Sequence, residues 1–197
     1  HAARQLDMDA RAVFRDAIDR GESPWNRHAL QALGDCADAE DLDRLQPWLH
    51  HPAGESRCAA LRGALRAGID DPAGVLREAL TSPSGKVVSL ALKLGATVPS
   101  FMTRDTLAGA FAAATSGATR KRLLDATHRI DRWSALDCLL DCLTQAAHDE
   151  DVLTALRAWA NETGNRFAPL SAARRLSLLA RIDAMTPHTM HLAWLPI

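Results

Sequence analysis

The chain has 197 residues, of which 47% are hydrophobic and 24% charged, a composition that excludes global disorder. The formal net charge is −1, so nucleic-acid binding through bulk positive charge is excluded and would need a local basic patch. Ala and Leu are abundant and Tyr is absent, which favours helix over sheet almost throughout. Because no run of about 18 apolar residues occurs, we expect no membrane association. The excess of Arg over Lys is typical of a GC-rich, bacterial genome.

Apolar residues recur at helical spacing along the chain, and Gly, Pro or Ser interrupts them at short intervals. This pattern predicts an all-α chain of about five helical hairpins followed by one C-terminal helix. The hairpins are predicted at residues 7–36, 39–68, 72–97, 103–131 and 134–162, the last helix at 169–184, and a tail at 185–197.

Local signals refine two of these elements. Thr103 and Ser134 are predicted to be the N-caps of the helices that follow them, because a hydroxyl at that position accepts a free backbone N–H. In the last helix, Leu176, Leu179 and Ile182 recur at helical spacing, and we expect them to form its packed side.

The apolar positions also repeat at a step of 31 residues. Leu45, Leu76 and Leu107 are 31 apart, and Leu92 and Leu123 are separated by the same step, which widens to 32 or 33 further on. Two helices per step indicate a repeat of helical hairpins, none of which can bury its apolar side alone. The sequence therefore predicts a single α-solenoid over residues 1–197. A four-helix bundle is the alternative, but eleven short helices are too many for it.

Residues 39–68 resemble a unit of the HEAT-repeat family, particularly the short bacterial HEAT-like repeats. The residues that carry the resemblance are Leu45, Pro47, Leu49, Arg57, Ala60 and Leu61. The family's turn Asp is replaced by His50-His51, and its Val before the Arg by Ser56. The resemblance covers 24–96, and only the periodicity continues over 103–162. It implies a right-handed, armadillo-like α-α superhelix whose second helices line a concave face.

Motifs of known chemistry are missing from the sequence. Phosphate-loop, dinucleotide-binding, HExxH and GxSxG patterns do not occur, so we expect no enzyme, no catalytic residue, no metal site and no cofactor. The acidic pairs lie at predicted helix starts, where capping explains them. The four cysteines lack a CxxC pattern, and Cys138 and Cys142 are one helical turn apart. We expect buried, reduced thiols in a cytoplasmic protein.

Positive charge is concentrated in the second helices of the hairpins. Residues 55–68 and 85–96 each carry +2 and residues 118–130 carry +3, whereas residues 39–49 and 134–147 each carry −2. If the second helices line a concave face, these charges form a basic groove. The predicted partner-binding residues are Arg57, Arg62, Arg66, Lys86, Lys93, Arg120, Lys121 and Arg122. The alternative is that they are solvated surface charges of an Arg-rich protein.

Two classes of function are compatible with such a groove. The first is a non-catalytic protein-interaction module, a scaffold or regulator that binds an acidic or helical segment of another protein. The second is nucleic-acid binding, because the HEAT-like alkylpurine DNA glycosylases use a similar groove. The second would use Trp25, Trp48, Trp133 or Trp159 to stack on bases, whereas the first places them in the core. The near-neutral net charge and the absence of Tyr favour the first.

Overall fold

The computed structural model describes residues 10–21, 26–98, 100–146, 149–161 and 170–185. Within these residues the all-α prediction is confirmed, because the structure has eleven α-helices and no strand there. The tail predicted at 185–197 lies beyond the described residues except for its first residue. The chain divides into two compact units, residues 1–99 (unit 1) and residues 100–197 (unit 2).

Six α-helices lie in the described part of unit 1. They are α1 (Ala10–Asp19), α2 (Asn26–Cys36), α3 (Leu42–Leu49), α4 (Gly54–Arg66), α5 (Pro72–Leu80) and α6 (Gly85–Gly95), and one turn of 3-10 helix (Ala39–Asp41) precedes α3. Consecutive helices pack in pairs, α1 on α2, α3 on α4 and α5 on α6. The second helices also pack side by side, α2 against α4 and α4 against α6.

The contact between α2 and α4 depends on two glycines. A Cβ atom at Gly34 would lie 2.5 Å from the carbonyl oxygen of Ala59, and one at Gly63 would lie 2.8 Å from Cδ1 of Leu45. Because both positions lack a side chain, the two backbones approach closely over a core of Leu and Ala. The fully buried residues around this contact include Leu30, Leu33, Leu45 and Ala59.

Five α-helices lie in the described part of unit 2. They are α7 (Arg104–Ala113), α8 (Gly117–Ala126), α9 (Arg132–Gln145), α10 (Glu150–Asn161) and α11 (Ala172–Met185), and a turn of 3-10 helix (Thr127–Arg129) follows α8. Here α7 packs on α8 and on α9, α8 and α9 both pack on α10, and α11 lies on α9. The helix α9 is central to this unit and buries eight of its fourteen residues.

The two predicted caps have different outcomes. The Thr103 side chain accepts the backbone N–H of Thr106, as expected for the N-cap of α7. The prediction that Ser134 caps the fifth hairpin is wrong, because α9 begins two residues earlier, at Arg132. Its N-cap is Asp131, whose carboxylate accepts the backbone N–H groups of Trp133 and Ser134. A carboxylate with two free oxygen atoms caps a helix at least as well as a hydroxyl does.

The packed side of α11 agrees with its prediction in part. Ile182 is buried as expected and Leu179 is half-buried, but Leu176 is 68% exposed and Leu178 is buried in its place. The reason is the rotation of the helix about its axis, which turns Arg174 and Arg181 towards carboxylates of α9. At about 100° per residue, Leu176 then lies roughly opposite Leu178 and points to solvent.

Candidate functional site

The predicted basic residues of unit 1 lie largely on one surface, formed by the outward sides of α2, α4 and α6. We name it the second-helix face, since these are the second helices of the three pairs. Its charged residues are Arg27 and Asp35 on α2, Glu55, Arg62 and Arg66 on α4, and Lys86 and Lys93 on α6. The structure thus brings four of the eight predicted partner-binding residues onto one surface.

Ion pairs connect the three helices across this face. Nζ of Lys86 lies 3.0 Å from Oε1 of Glu55, and the guanidinium group of Arg27 pairs with the same carboxylate. Nε of Arg62 lies 3.2 Å from Oδ1 of Asp35. Exposed pairs of this kind contribute about 0–1 kcal/mol each, so they order the side chains and stabilise the fold little. The neighbouring helix therefore neutralises part of the predicted positive charge.

An excess of positive charge remains after this pairing, because the face carries five basic residues against two acidic ones. Arg66 and Lys93 are both exposed, and neither has an acidic partner within the part of the chain that the structure describes. Lys93 is also 31 residues after Arg62, so the two occupy equivalent positions on adjacent helices. These two cations are the groups of the face that are available to a ligand carboxylate.

Cys58 is half-buried on α4, next to these charges. Burial is the largest influence on its thiol and raises its pKa, although the nearby Arg62, Arg57 and Lys86 act in the opposite direction. The thiol is therefore protonated at neutral pH and is a poor nucleophile.

Arg57 lies apart from the other predicted residues of unit 1. Its Nη2 donates to Oγ of Ser82 at 2.5 Å, in the turn between α5 and α6. Around it is a small cleft lined mainly by side chains of α4 and α5, among them Leu61, Val75 and Glu78. The half-buried Arg57 thus links the second helix pair to the third, which is a positioning role.

The three predicted residues of unit 2 point in different directions from α8. Arg120 stacks over the ring of Phe111 at 5.3 Å from its centroid, and Nη1 of Arg122 donates to the carbonyl oxygen of Ala118 at 2.9 Å. Lys121 is exposed. Consecutive helical residues are about 100° apart, so these three side chains cannot share one face.

The sequence reasoning missed a cluster of carboxylates and arginines in unit 2. Asp137 and Asp141 are one turn apart on α9, and the guanidinium group of Arg181 bridges them, with Nη1 2.6 Å from Asp137 and Nη2 2.7 Å from Asp141. Arg174 pairs with Asp137, and Nε of Arg104 lies 2.5 Å from Asp141. The two acids interrupt the otherwise apolar residues 135–143 of α9, and their spacing of four is the sequence signal that could have revealed the cluster.

A similar cluster of charged residues connects α1 to the segment that precedes α3 in unit 1. Nε of Arg15 lies 2.6 Å from Oδ1 of the buried Asp41, and Nη2 of Arg15 lies 2.9 Å from Oδ1 of Asp38. Burial of Asp41 would raise its pKa, but hydrogen bonds from Arg15 and from the backbone N–H of Asp38 outweigh burial and hold the pKa below its usual value. The carboxylate is therefore a charged structural group and is not poised for proton transfer.

The described tryptophans pack against the protein. Trp159 is buried, lies 5.8 Å from Trp133 between ring centroids, and has the guanidinium group of Arg132 4.8 Å from its own centroid. Trp48 packs against the core of unit 1. Trp25 is outside the described residues. These positions favour the core interpretation over base stacking.

The cysteines form no disulfide. All four are free; Cys138 and Cys142 are buried as expected, whereas Cys36 and Cys58 are half-buried. A hydrogen bond with Cys138, together with burial, raises the pKa of Cys142.

The described ranges contain no group of three or more His, Cys, Asp and Glu side chains suited to a metal ion. Nor is any helix there both long and apolar enough to cross a membrane.

Comparisons of the chain with protein-family models, with curated proteins and with solved structures found no match. Any function must therefore be inferred from the surfaces themselves. On the second-helix face, charged groups from three helices meet and the described basic residues outnumber the acidic ones by five to two.

Proposed function

We propose that this protein is a non-catalytic protein-interaction module that binds a segment of another protein along its second-helix face. It acts as a scaffold or a regulator in the cytoplasm, without a cofactor. The partner segment is acidic, and a helix is its most suitable form. The observation that carries the proposal is the positive excess of this face, with Arg66 and Lys93 exposed and without acidic partners among the described residues.

The same proposal includes a HEAT-like α-solenoid as the scaffold. It is supported within each unit by the packing of second helices side by side, α2 with α4 and α4 with α6 in unit 1, and α8 with α10 in unit 2. Stacked helix pairs bury a continuous core and leave one row of helices with its outward side accessible. Such a row suits an elongated ligand better than a small molecule.

An acidic segment can compete for the basic residues of this face because their existing ion pairs are weak. Ligand carboxylates would pair with Arg66 and Lys93 directly, and would compete with Asp35 for Arg62 and with Glu55 for Lys86. Because exposed pairs contribute about 0–1 kcal/mol each, this exchange costs little. Association should be fast and should weaken as salt screens the charges.

The test compares two charge-reversed variants of the full chain. In R66E/K93E two exposed cations of the second-helix face are reversed, and in the matched control K121E/R157E two exposed cations of unit 2 are reversed. The probe is a fluorescein-labelled, Glu-rich helical peptide, and anisotropy is measured at low ionic strength. We expect wild type and control to bind alike, and R66E/K93E to bind more than about tenfold more weakly. Equal binding by R66E/K93E and wild type would contradict the proposal.

Nucleic-acid binding is a separate outcome of the same experiment. Labelled duplex and single-stranded DNA replace the peptide, and salt is varied. The proposal expects DNA to bind more weakly than the acidic peptide, since part of the positive charge is already paired. If DNA binds more tightly than the peptide and loses affinity steeply as salt rises, the partner is a nucleic acid and the proposal of a protein partner is wrong.

A further inference from the structure

The side of α9 that faces α11 carries two carboxylates, Asp137 and Asp141, one helical turn apart. The Asp137 side chain is 4% exposed, and its two oxygen atoms are both engaged by arginines of α11. Asp141 is bound by Arg181 of α11 and by both Nε and Nη2 of Arg104 of α7, at 2.5 and 3.0 Å. A carboxylate as buried as Asp137 requires a positive partner, because burial without one is costly.

The helix that supplies this partner packs on α9 with one of its sides. Among the fourteen residues of α11, the buried ones are Leu178 and Ile182. Three ion pairs join Arg174 and Arg181 to the carboxylates of α9. Most of the remaining α11 residues are exposed, including Leu176. Ion pairs and apolar burial therefore both hold α11 on α9.

The four attached residues define a simple recognition pattern. Arg174, Leu178, Arg181 and Ile182 lie at positions i, i+4, i+7 and i+8, which form one stripe along a helix. Arg181 reaches both carboxylates with one planar guanidinium group, a geometry that the single ammonium of Lys cannot reproduce. The surface of α9 thus favours an amphipathic helix with arginines seven residues apart.

We propose that this surface of α9 is a helix-binding site for a partner with that pattern, and that α11 is its intramolecular occupant, which the partner helix displaces. The proposal is independent of the second-helix face, since it concerns unit 2 and a basic ligand. When α11 leaves, Arg104 still neutralises Asp141, but Asp137 loses both of its arginines. The vacated site therefore selects a helix that restores those charges.

The test uses the full chain and a fluorescein-labelled synthetic peptide with the sequence of residues 170–185. The R174E/R181E substitution should release α11 by repulsion from α9. We expect the peptide to bind this variant more than about tenfold more tightly than wild type, whose site is occupied. A peptide that itself carries R174E/R181E should not bind, and adding D137N/D141N to the variant chain should abolish binding.

The control chain is K121E/R157E, which has the same change of charge at exposed positions of α8 and α10 and should behave as wild type. Equal binding of the peptide to wild type and R174E/R181E would overturn the proposal. Binding that ignores the charge reversal of the peptide would overturn it as well.

A second measurement covers the case in which R174E/R181E does not fold. Hydrogen exchange of the wild-type chain compares the amides of α11 with those of α9 at low and high salt. We expect α11 to exchange faster than α9 and to accelerate as salt screens its ion pairs. Exchange of α11 that is as slow as that of α9 and insensitive to salt would overturn the proposal.

Discussion

The two units use their charged residues in different places. In unit 1, ion pairs join the second helices α2, α4 and α6 across their outward side. In unit 2, four ion pairs join α7, α9 and α11, and the basic residues of α8 contact a ring and a carbonyl oxygen of α7 and α8 instead. Unit 2 therefore has one basic second helix, α8, but within the described residues its charges do not form a row across several helices as those of unit 1 do.

This difference shows that the charge of one helix does not decide what its surface can bind. Glu55 and Asp35 lie opposite basic residues of the adjacent helices, so the side chains of this face are ordered. Most of its excess positive charge lies at Arg66 and Lys93, and the rest comes from Arg27 and Lys86, which share Glu55. On α8 the three consecutive basic residues diverge. The binding surface that we propose is consequently a property of neighbouring helices together.

The units also differ in how their glycines are used, and this gives the largest expected effect on stability. Gly34→Ala would place a methyl group 2.5 Å from the backbone oxygen of Ala59, which cannot move aside easily. We expect the free energy of unfolding to fall by about 1–3 kcal/mol in urea titrations followed by circular dichroism.

The matched control is Gly109→Ala in α7, where an added methyl group meets nothing within 4 Å. Because Ala is the better helix former, this variant should be more stable by roughly 0.5–1 kcal/mol. If G34A and G109A change stability in the same direction, the close contact of α2 and α4 is not as described.

A smaller effect is expected from the acids with lowered pKa values, one in each unit. Burial would raise the pKa of Asp41, but hydrogen bonds from Arg15 and from the backbone N–H of Asp38 hold it low. Burial would likewise raise the pKa of Asp131, which is held low by hydrogen bonds from Ser134 and from the backbone N–H of Trp133. Such a group stabilises the fold above its unfolded pKa of about 4, and this contribution is lost as pH falls through the folded pKa.

The measurement is the free energy of unfolding between neutral and acidic pH for Asp41→Asn and Asp131→Asn. Both variants should be less stable than wild type at neutral pH and should lose less stability on acidification. A variant whose stability falls as steeply as that of wild type in acid would refute the proposed role of that carboxylate.

Much of the helical pattern could be predicted from the sequence, because apolar spacing and turn residues are local signals. Thr103 as an N-cap is an example. The start of α9 was misplaced because Ser134 and Asp131 are both good caps, and the choice depends on which side chain reaches the free N–H groups. Leu176 was wrongly expected on the packed side of α11. The ion pairs of Arg174 and Arg181 with Asp137 of α9 fix how α11 is rotated about its axis, and the sequence of α11 alone does not show them.

The candidate site was predictable in part. Arg62 and Lys93 share a face because the 31-residue step places them at equivalent positions. The pairing of Lys86 with Glu55 and the direction of Arg57 towards Ser82 depend on side-chain geometry between helix pairs, which a net charge per helix does not contain. The carboxylates of α9 were overlooked for the same reason.

The most direct test of the central claim is to map where an acidic segment binds. An isotope-labelled chain is titrated with the Glu-rich helical peptide, and backbone amide shifts are followed by NMR. We predict that the perturbed amides cluster on α4 and α6 around Arg66 and Lys93, and that added salt reverses the shifts. Perturbations centred on α8 around Arg120, Lys121 and Arg122, or no perturbation on the second-helix face, would contradict the account.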